Sequence, residues 1–258
     1  MNINTKTTIN EGGKLVNTNR QTAIKESKMK ITTPKLIRLA GLSAMAAGII
    51  FAGIQPIHPP DVISSVNTNL WAILTSLKTV MSIFGLFGLV GLYARQVEET
   101  GWLGLAGYLL LSIFYAVQIC YSFAEVLILP LLTTVAPKFV ESTLGMASGA
   151  GSEMNLGAFA TVYSLLTVMY LLGLLLFGIA MFRARILPRW AAGLLAFSGP
   201  LAIIMVALLP HQLERLAAMP MGIALAWLGY ALWSERREPA SEPLLGRVNP
   251  ELSQTAAD

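Results

Sequence analysis

Six long apolar stretches dominate this 258-residue chain, at 36–54, 70–93, 102–129, 157–182, 190–209 and 216–233. A bilayer's hydrocarbon is about 30 Å thick, and a helix rising 1.5 Å per residue needs roughly 20 apolar residues to cross it. No alternating pattern of a β-barrel is present, and a helix satisfies every backbone group within its own segment. Charged residues are 12% of the chain and apolar ones 55%, whereas soluble domains carry about 25% charge. The expected fold class is therefore all-α, a polytopic transmembrane helix bundle of six spans over residues 35–234. The last span is the weakest, because Pro220 falls near its start and cannot donate a helical hydrogen bond.

The formal net charge of +4 has to be read by location, since basic residues sort across membranes. Of the 18 Lys and Arg residues, fifteen fall in the N-terminal segment, around Arg95, at Arg183, Arg185 and Arg189, or in the C-terminal tail. With six spans these all lie on one side, against Lys138 and Arg215 on the other. The asymmetry predicts both ends in the cytoplasm and gives no reason to invoke nucleic acid. Trp71, Trp102, Trp190 and Trp233 stand at predicted span edges, where an amphipathic ring straddles the headgroup layer.

Residues 1–34 are rich in Asn, Thr and Lys and bury too little apolar surface to fold alone, so they read as a disordered cytoplasmic tail. Translation beginning at Met29 is an alternative. Cleavage as a secretory signal is not expected, because no small-x-small site closes the first apolar run. Residues 235–258 read as a second disordered cytoplasmic tail. The one long outer connection, 131–156, is expected to start a short helix at Pro137 and to be flexible from Met146 to Ser152. Connections of that length are uncommon without a purpose. A lid over the outer face and an idle surface loop both fit.

Glycines at matched spacing, Gly85, Gly88 and Gly91 before the first basic turn and Gly101, Gly104 and Gly107 after it, predict a tight hairpin of the second and third spans. The Gly-Leu steps Gly41-Leu42, Gly104-Leu105 and Gly193-Leu194 suggest a threefold repeat of a two-helix unit.

Polar residues inside the spans carry the functional signal. Tyr115, Gln118, Ser122 and Glu125 recur at intervals of three, four and three, so they share one helix face. The second span offers Thr75, Lys78 and Ser82, and the fourth Tyr163, Thr167 and Tyr170. A carboxylate and an ammonium within a span are costly unless they face a bundle interior, water or each other. Counted from the basic turn, Glu125 stands seven residues higher than Lys78, about 10 Å at 1.5 Å per residue. Direct pairing then needs a reaching Lys side chain, and Gln118 is at the better-matched depth. Lys78, Ser82, Tyr115, Gln118, Ser122, Glu125, Tyr163 and Thr167 are the candidate lining of an outward polar cavity. The competing arrangement places Glu125 at the outer interface, with Lys78 snorkelling to the same water.

Other chemistry finds little support. Cys120 is the single cysteine, which excludes an internal disulfide and a thiolate cluster, and with it His58 and His211 do not complete a metal site. No cofactor and no catalytic set is expected. His58, in His58-Pro59-Pro60-Asp61, reads as a turn residue, and His211, Glu214 and Arg215 as a solvated cap on a short outer connection.

The segments Gly91-Leu92-Tyr93-Ala94-Arg95, Gly104-Leu105, Leu129-Pro130, Ala136-Pro137 and the closing Trp227-Leu228-Gly229-Tyr230-Ala231-Leu232-Trp233 resemble a class of small bacterial six-span membrane proteins to which no activity has been assigned. The resemblance implies the six-span topology and a bacterial inner membrane, and brings no site residue with it. The expected role is non-enzymatic: binding or passing a small solute in the bilayer. The alternatives are a structural subunit whose glycine faces meet a membrane partner or a second copy of the chain, and an intramembrane enzyme using Glu125.

Overall fold

The computed structural model describes residues 7–9, 15–17, 32–208 and 211–235. In the segment read as a tail, Thr7–Ile9 (β1) pairs antiparallel with Leu15–Asn17 (β2), a ribbon too small to be stable by itself. All else of regular structure that is described is helical. Met29 and the chain beyond Glu235 lie outside the described residues.

The long helices are α1 (Thr33–Ile54), α3 (Asn69–Ala94), α4 (Val97–Leu127), α7 (Ala158–Ala184), α8 (Arg189–Leu208) and α9 (Met219–Ser234). Between them lie the short α2 (Ile63–Val66), α5 (Leu129–Val135) and α6 (Pro137–Ser148), with 3-10 turns at Gln55–Ile57 and His211–Ala218. The six long helices pack antiparallel in a closed ring, α1 against α3, α3 against α4, α4 against α7, α7 against α8, α8 against α9, and α9 back against α1.

Five segments are long and apolar enough to cross a membrane: Thr33–Ile57, Asn69–Ala94, Val97–Leu127, Ala158–Ala184 and Leu213–Ser234. The sixth expected span, 190–209, forms α8, whose apolar part Arg189–Met205 falls short of that length. The outward faces of the ring are as greasy as its inside: Ile49 is 59% exposed, Phe87 57%, Leu165 56% and Phe197 65%. Exposed apolar belts of this size are untenable in water and ordinary in lipid. The molecule is a membrane protein.

Prolines explain where element bounds depart from the sequence reading. The third span stops at Leu127 rather than 129, because Pro130 has no N–H for the ladder and serves as an early residue of α5. The last span is α-helical only from Met219, with Pro220 in its first turn and a 3-10 turn before it. Gly101, at φ 55° and ψ −152°, separates the turn Val97 to Thr100 from the spanning part of α4. Few residues other than glycine tolerate that conformation.

The glycines do not build the expected hairpin of α3 on α4. Gly88 and Gly91 abut Ala44 and Ala40 of α1, Gly107 abuts the Phe177 backbone of α7, and only Gly85 faces α4, under the Tyr115 ring. Helix faces hold small residues wherever a neighbour comes close, and spacing does not say which neighbour. The tightest seam is α1 on α9, where Gly41, Gly48, Gly222 and Gly229 bring backbone against backbone. The three Gly-Leu glycines also differ in what they meet: Gly41 the backbone of α9, Gly104 the Thr100 side chain, Gly193 the Phe182 ring.

At the basic end, Arg95 Nε donates to Glu235 at 2.7 Å, and Arg38 Nε donates to the Trp233 carbonyl at 3.2 Å. The hydrogen bond from Arg95 to the Glu235 carboxylate raises the Arg95 pKa above its ordinary value. At the opposite end, the connection 131–156 is an ordered cap. Val66, Trp71, Leu129, Val140 and Leu144 form its buried core. Asn67 Nδ2 donates to Thr133 Oγ1 at 3.1 Å, and the Met154 N–H donates to Ser142 Oγ at 3.1 Å. Met146 to Ser148, expected to be flexible, complete α6, which Gly149 ends at φ 79°.

Candidate functional site

Lys78 and Glu125 meet. Lys78 Nζ donates to Glu125 Oε1 and Oε2, both at 2.9 Å, and the side chains are 21% and 6% exposed. The depth offset is closed by the lysine, which reaches along its own helix until Nζ lies 5.8 Å from the Trp71 ring centroid, about two turns higher. Trp71 is fully buried in the cap core, so the ammonium is flanked by an aromatic ring and a carboxylate.

The ion pair separates two cavities. The central one, about 260 Å³, lies inside the ring, with Lys78, Tyr115, Gln118, Tyr170, His58 and Arg215 among its lining. The lateral one, about 430 Å³, lies between α4, α7 and the cap, with Glu125, Tyr121, Tyr163, Phe159, Cys120 and Leu132 among its lining. The two charges of one pair thus face different chambers, the first with polar and charged groups in its wall and the second with apolar side chains around one carboxylate.

The eight sequence candidates therefore do not line one cavity. Lys78, Tyr115 and Gln118 face the centre; Glu125 and Tyr163 face the lateral chamber. Ser82 and Ser122 are fully buried. Ser82 Oγ donates to the Lys78 carbonyl at 2.8 Å, and Ser122 Oγ accepts from Gln118 Nε2 at 3.1 Å, so both are packing devices beside the site. Thr167 is exposed on the ring's outside, and its hydroxyl donates to the Tyr163 carbonyl at 3.1 Å. Its three- and four-residue spacing from Tyr163 and Tyr170 marks a shared stripe, but that stripe straddles the α4 seam.

Three residues read as ordinary belong to the site. Arg215, on the 3-10 turn before α9, pairs with Asp61 of the α1–α2 connection and lines the central cavity. His58 lines it too, its ring edge-on to Trp71 at 5.7 Å between centroids. The available signal was charge economy: Asp61 and Arg215 are nearly alone on short connections at the cap end, and isolated charges beside a bilayer seek partners.

Burial, then the positive charges of Lys78 and Arg215, push the His58 imidazole down to about 4, against the pull of the Pro59 carbonyl and Asp61. The ring is neutral at physiological pH. Nδ1 stands 2.7 Å from the Pro59 oxygen, so Nδ1–H donates there and Nε2 keeps its lone pair. Between its ordinary pKa of about 6.5 and the folded value, the unfolded chain binds a proton that the folded one refuses. This contribution to stability is complete above about pH 6.5 and is lost as pH falls toward 4. Thermal unfolding at pH 7 and pH 5 should show a smaller acid loss in His58→Gln than in the parent; equal losses would exclude His58 as the cause.

Among the described residues, no three His, Cys, Asp or Glu side chains are grouped to hold a metal ion. No family model, curated protein or solved structure matches this chain.

Proposed function

We propose that this chain is a six-span protein of the bacterial cytoplasmic membrane, both ends cytoplasmic, that binds a small solute in the central cavity as a receptor or as the binding step of transport. The observation that carries this reading is the 260 Å³ cavity itself, set within the ring of helices and bearing Lys78, Arg215, His58, Gln118 and the phenols of Tyr115 and Tyr170 among apolar side chains such as Phe51, Met81 and Phe114. A concave, mainly apolar pocket with a few convergent polar groups is the usual form of a ligand site. α8 counts as the sixth span because it takes a full place in the ring, between α7 and α9. The orientation rests on basic residues gathered at one end.

The cavity sits toward the cap end, so the solute enters from outside. The Asp61–Arg215 pair bridges two outer connections beside it and is the natural gate. A role as a partner subunit built on small-residue faces has less support, because Gly41 and Gly48 of α1 and the glycines of α3 and α9 are already engaged within the ring. Catalysis has less support as well, because Glu125 and Asp61 are each held by a cation rather than free to act as acid or base.

A solute screen on the detergent-purified chain, read as a rise in unfolding temperature, tests the reading. Gln118→Leu should fold normally and weaken a stabilising compound by roughly tenfold, the worth of one hydrogen bond in a desolvated site. A screen in which nothing stabilises the parent, or in which Gln118→Leu leaves every effect unchanged, contradicts it.

A further inference from the structure

We infer that the solute is a small organic anion whose carboxylate or similar oxyanion is held by Arg215 and Lys78; this rests on the solute-binding reading above. The wall of the central cavity carries both cations and neither of their carboxylates, since Glu125 faces the lateral chamber and Asp61 does not line the cavity. A cationic solute would meet like charge first. An anion meets an ammonium, a guanidinium whose planar fork suits an oxyanion, and the phenols of Tyr115 and Tyr170, whose hydroxyls make no hydrogen bond to protein among the described residues. His58 adds no third charge.

Each cation already has an internal partner, so the solute competes. Arg215 is the one to yield, because its side chain is 35% exposed against 21% for Lys78 and its partner sits on a short connection rather than a spanning helix. Asp61 thus occupies the guanidinium in place of the solute and is exchanged for it. Removing Asp61 should then improve binding, whereas a merely structural pair would only lose stability.

The test uses the full chain in detergent with short mono- and dicarboxylates, each alongside its matching primary amide and amine. Carboxylates should raise the unfolding temperature saturably, and amides and amines should not. Asp61→Asn should tighten the best carboxylate by roughly tenfold and Arg215→Gln weaken it by as much, the range of one charge-assisted hydrogen bond. Amides or amines acting as well as acids would overturn the anion assignment and leave a solute site standing. No shift from any of the acids, in the parent and in Asp61→Asn alike, would overturn the anion assignment also, and compounds active in the wider screen would then decide the solute reading separately. Binding that is unchanged or weakened, rather than tightened, in Asp61→Asn would overturn the exchange and reduce the Asp61–Arg215 pair to a structural clasp.

Discussion

Gly48→Leu is expected to destabilise the folded ring by about 3 kcal/mol or more, seen as a lower unfolding temperature in detergent. A β-carbon at Gly48 points at the Gly222 carbonyl and the Ala226 backbone of α9, with the Ala226 Cα 2.9 Å away. Backbone atoms cannot rotate out of the way as a side chain can, so α1 and α9 must part along a seam that Gly41, Gly222 and Gly229 also keep close. Overpacking a tight interior typically costs about 1–3 kcal/mol, and here the yielding element is a whole helix. Leucine is the better helix former by about 1 kcal/mol, which offsets only part of the loss. Gly53 lies near the end of the same helix with open space where a side chain would stand. Gly53→Leu should therefore be neutral or slightly stabilising, and equal losses at the two positions would refute the packing account.

The second large effect is expected at the ion pair. Lys78→Met leaves the Glu125 carboxylate, 6% exposed, without the ammonium from which both its oxygens accept at 2.9 Å. Breaking one side of a buried pair costs about 3–5 kcal/mol, because a charge is left behind with nothing to satisfy it. Combining Lys78→Met with Glu125→Gln removes both charges, and the double variant should recover most of the loss. Non-additivity of this kind is the signature of direct coupling. Additive losses, or a Lys78→Met variant as stable as the parent, would show that the pair contributes little.

Much of the architecture was legible because lipid is an unforgiving solvent. A span needs a certain length of apolar sequence, so α1, α3 and α7 begin and end within a few residues of where hydropathy places them. The stripe of Tyr115, Gln118, Ser122 and Glu125 likewise followed from helical period alone. Periodicity assigns a face but not the neighbour that the face meets. That is why the spacing points all the α3 glycines at α4 when Gly88 and Gly91 serve α1, and why Thr167, on the right spacing, lies outside. Between Lys78 and Glu125 the deciding quantity was the length of a lysine side chain, which periodicity does not measure. His58, Asp61 and Arg215 were illegible for a different reason: they sit on short connections, where no period relates one residue to another and only the closed ring brings the α1–α2 turn beside the turn before α9.

The account stands on α8 crossing the bilayer, since only then do Arg215 and the cavity mouth lie outside while the basic turns lie within. Thiol labelling of single cysteines by a membrane-impermeant reagent, in a Cys120→Ser background, tests this directly. Leu213, beside Arg215, and Glu98, at the start of α4, are both exposed. Leu213→Cys is predicted to label in intact cells, and Glu98→Cys only after the cells are broken. Labelling of both positions from the same side would mean that α8 does not span, and would remove the outward-facing site.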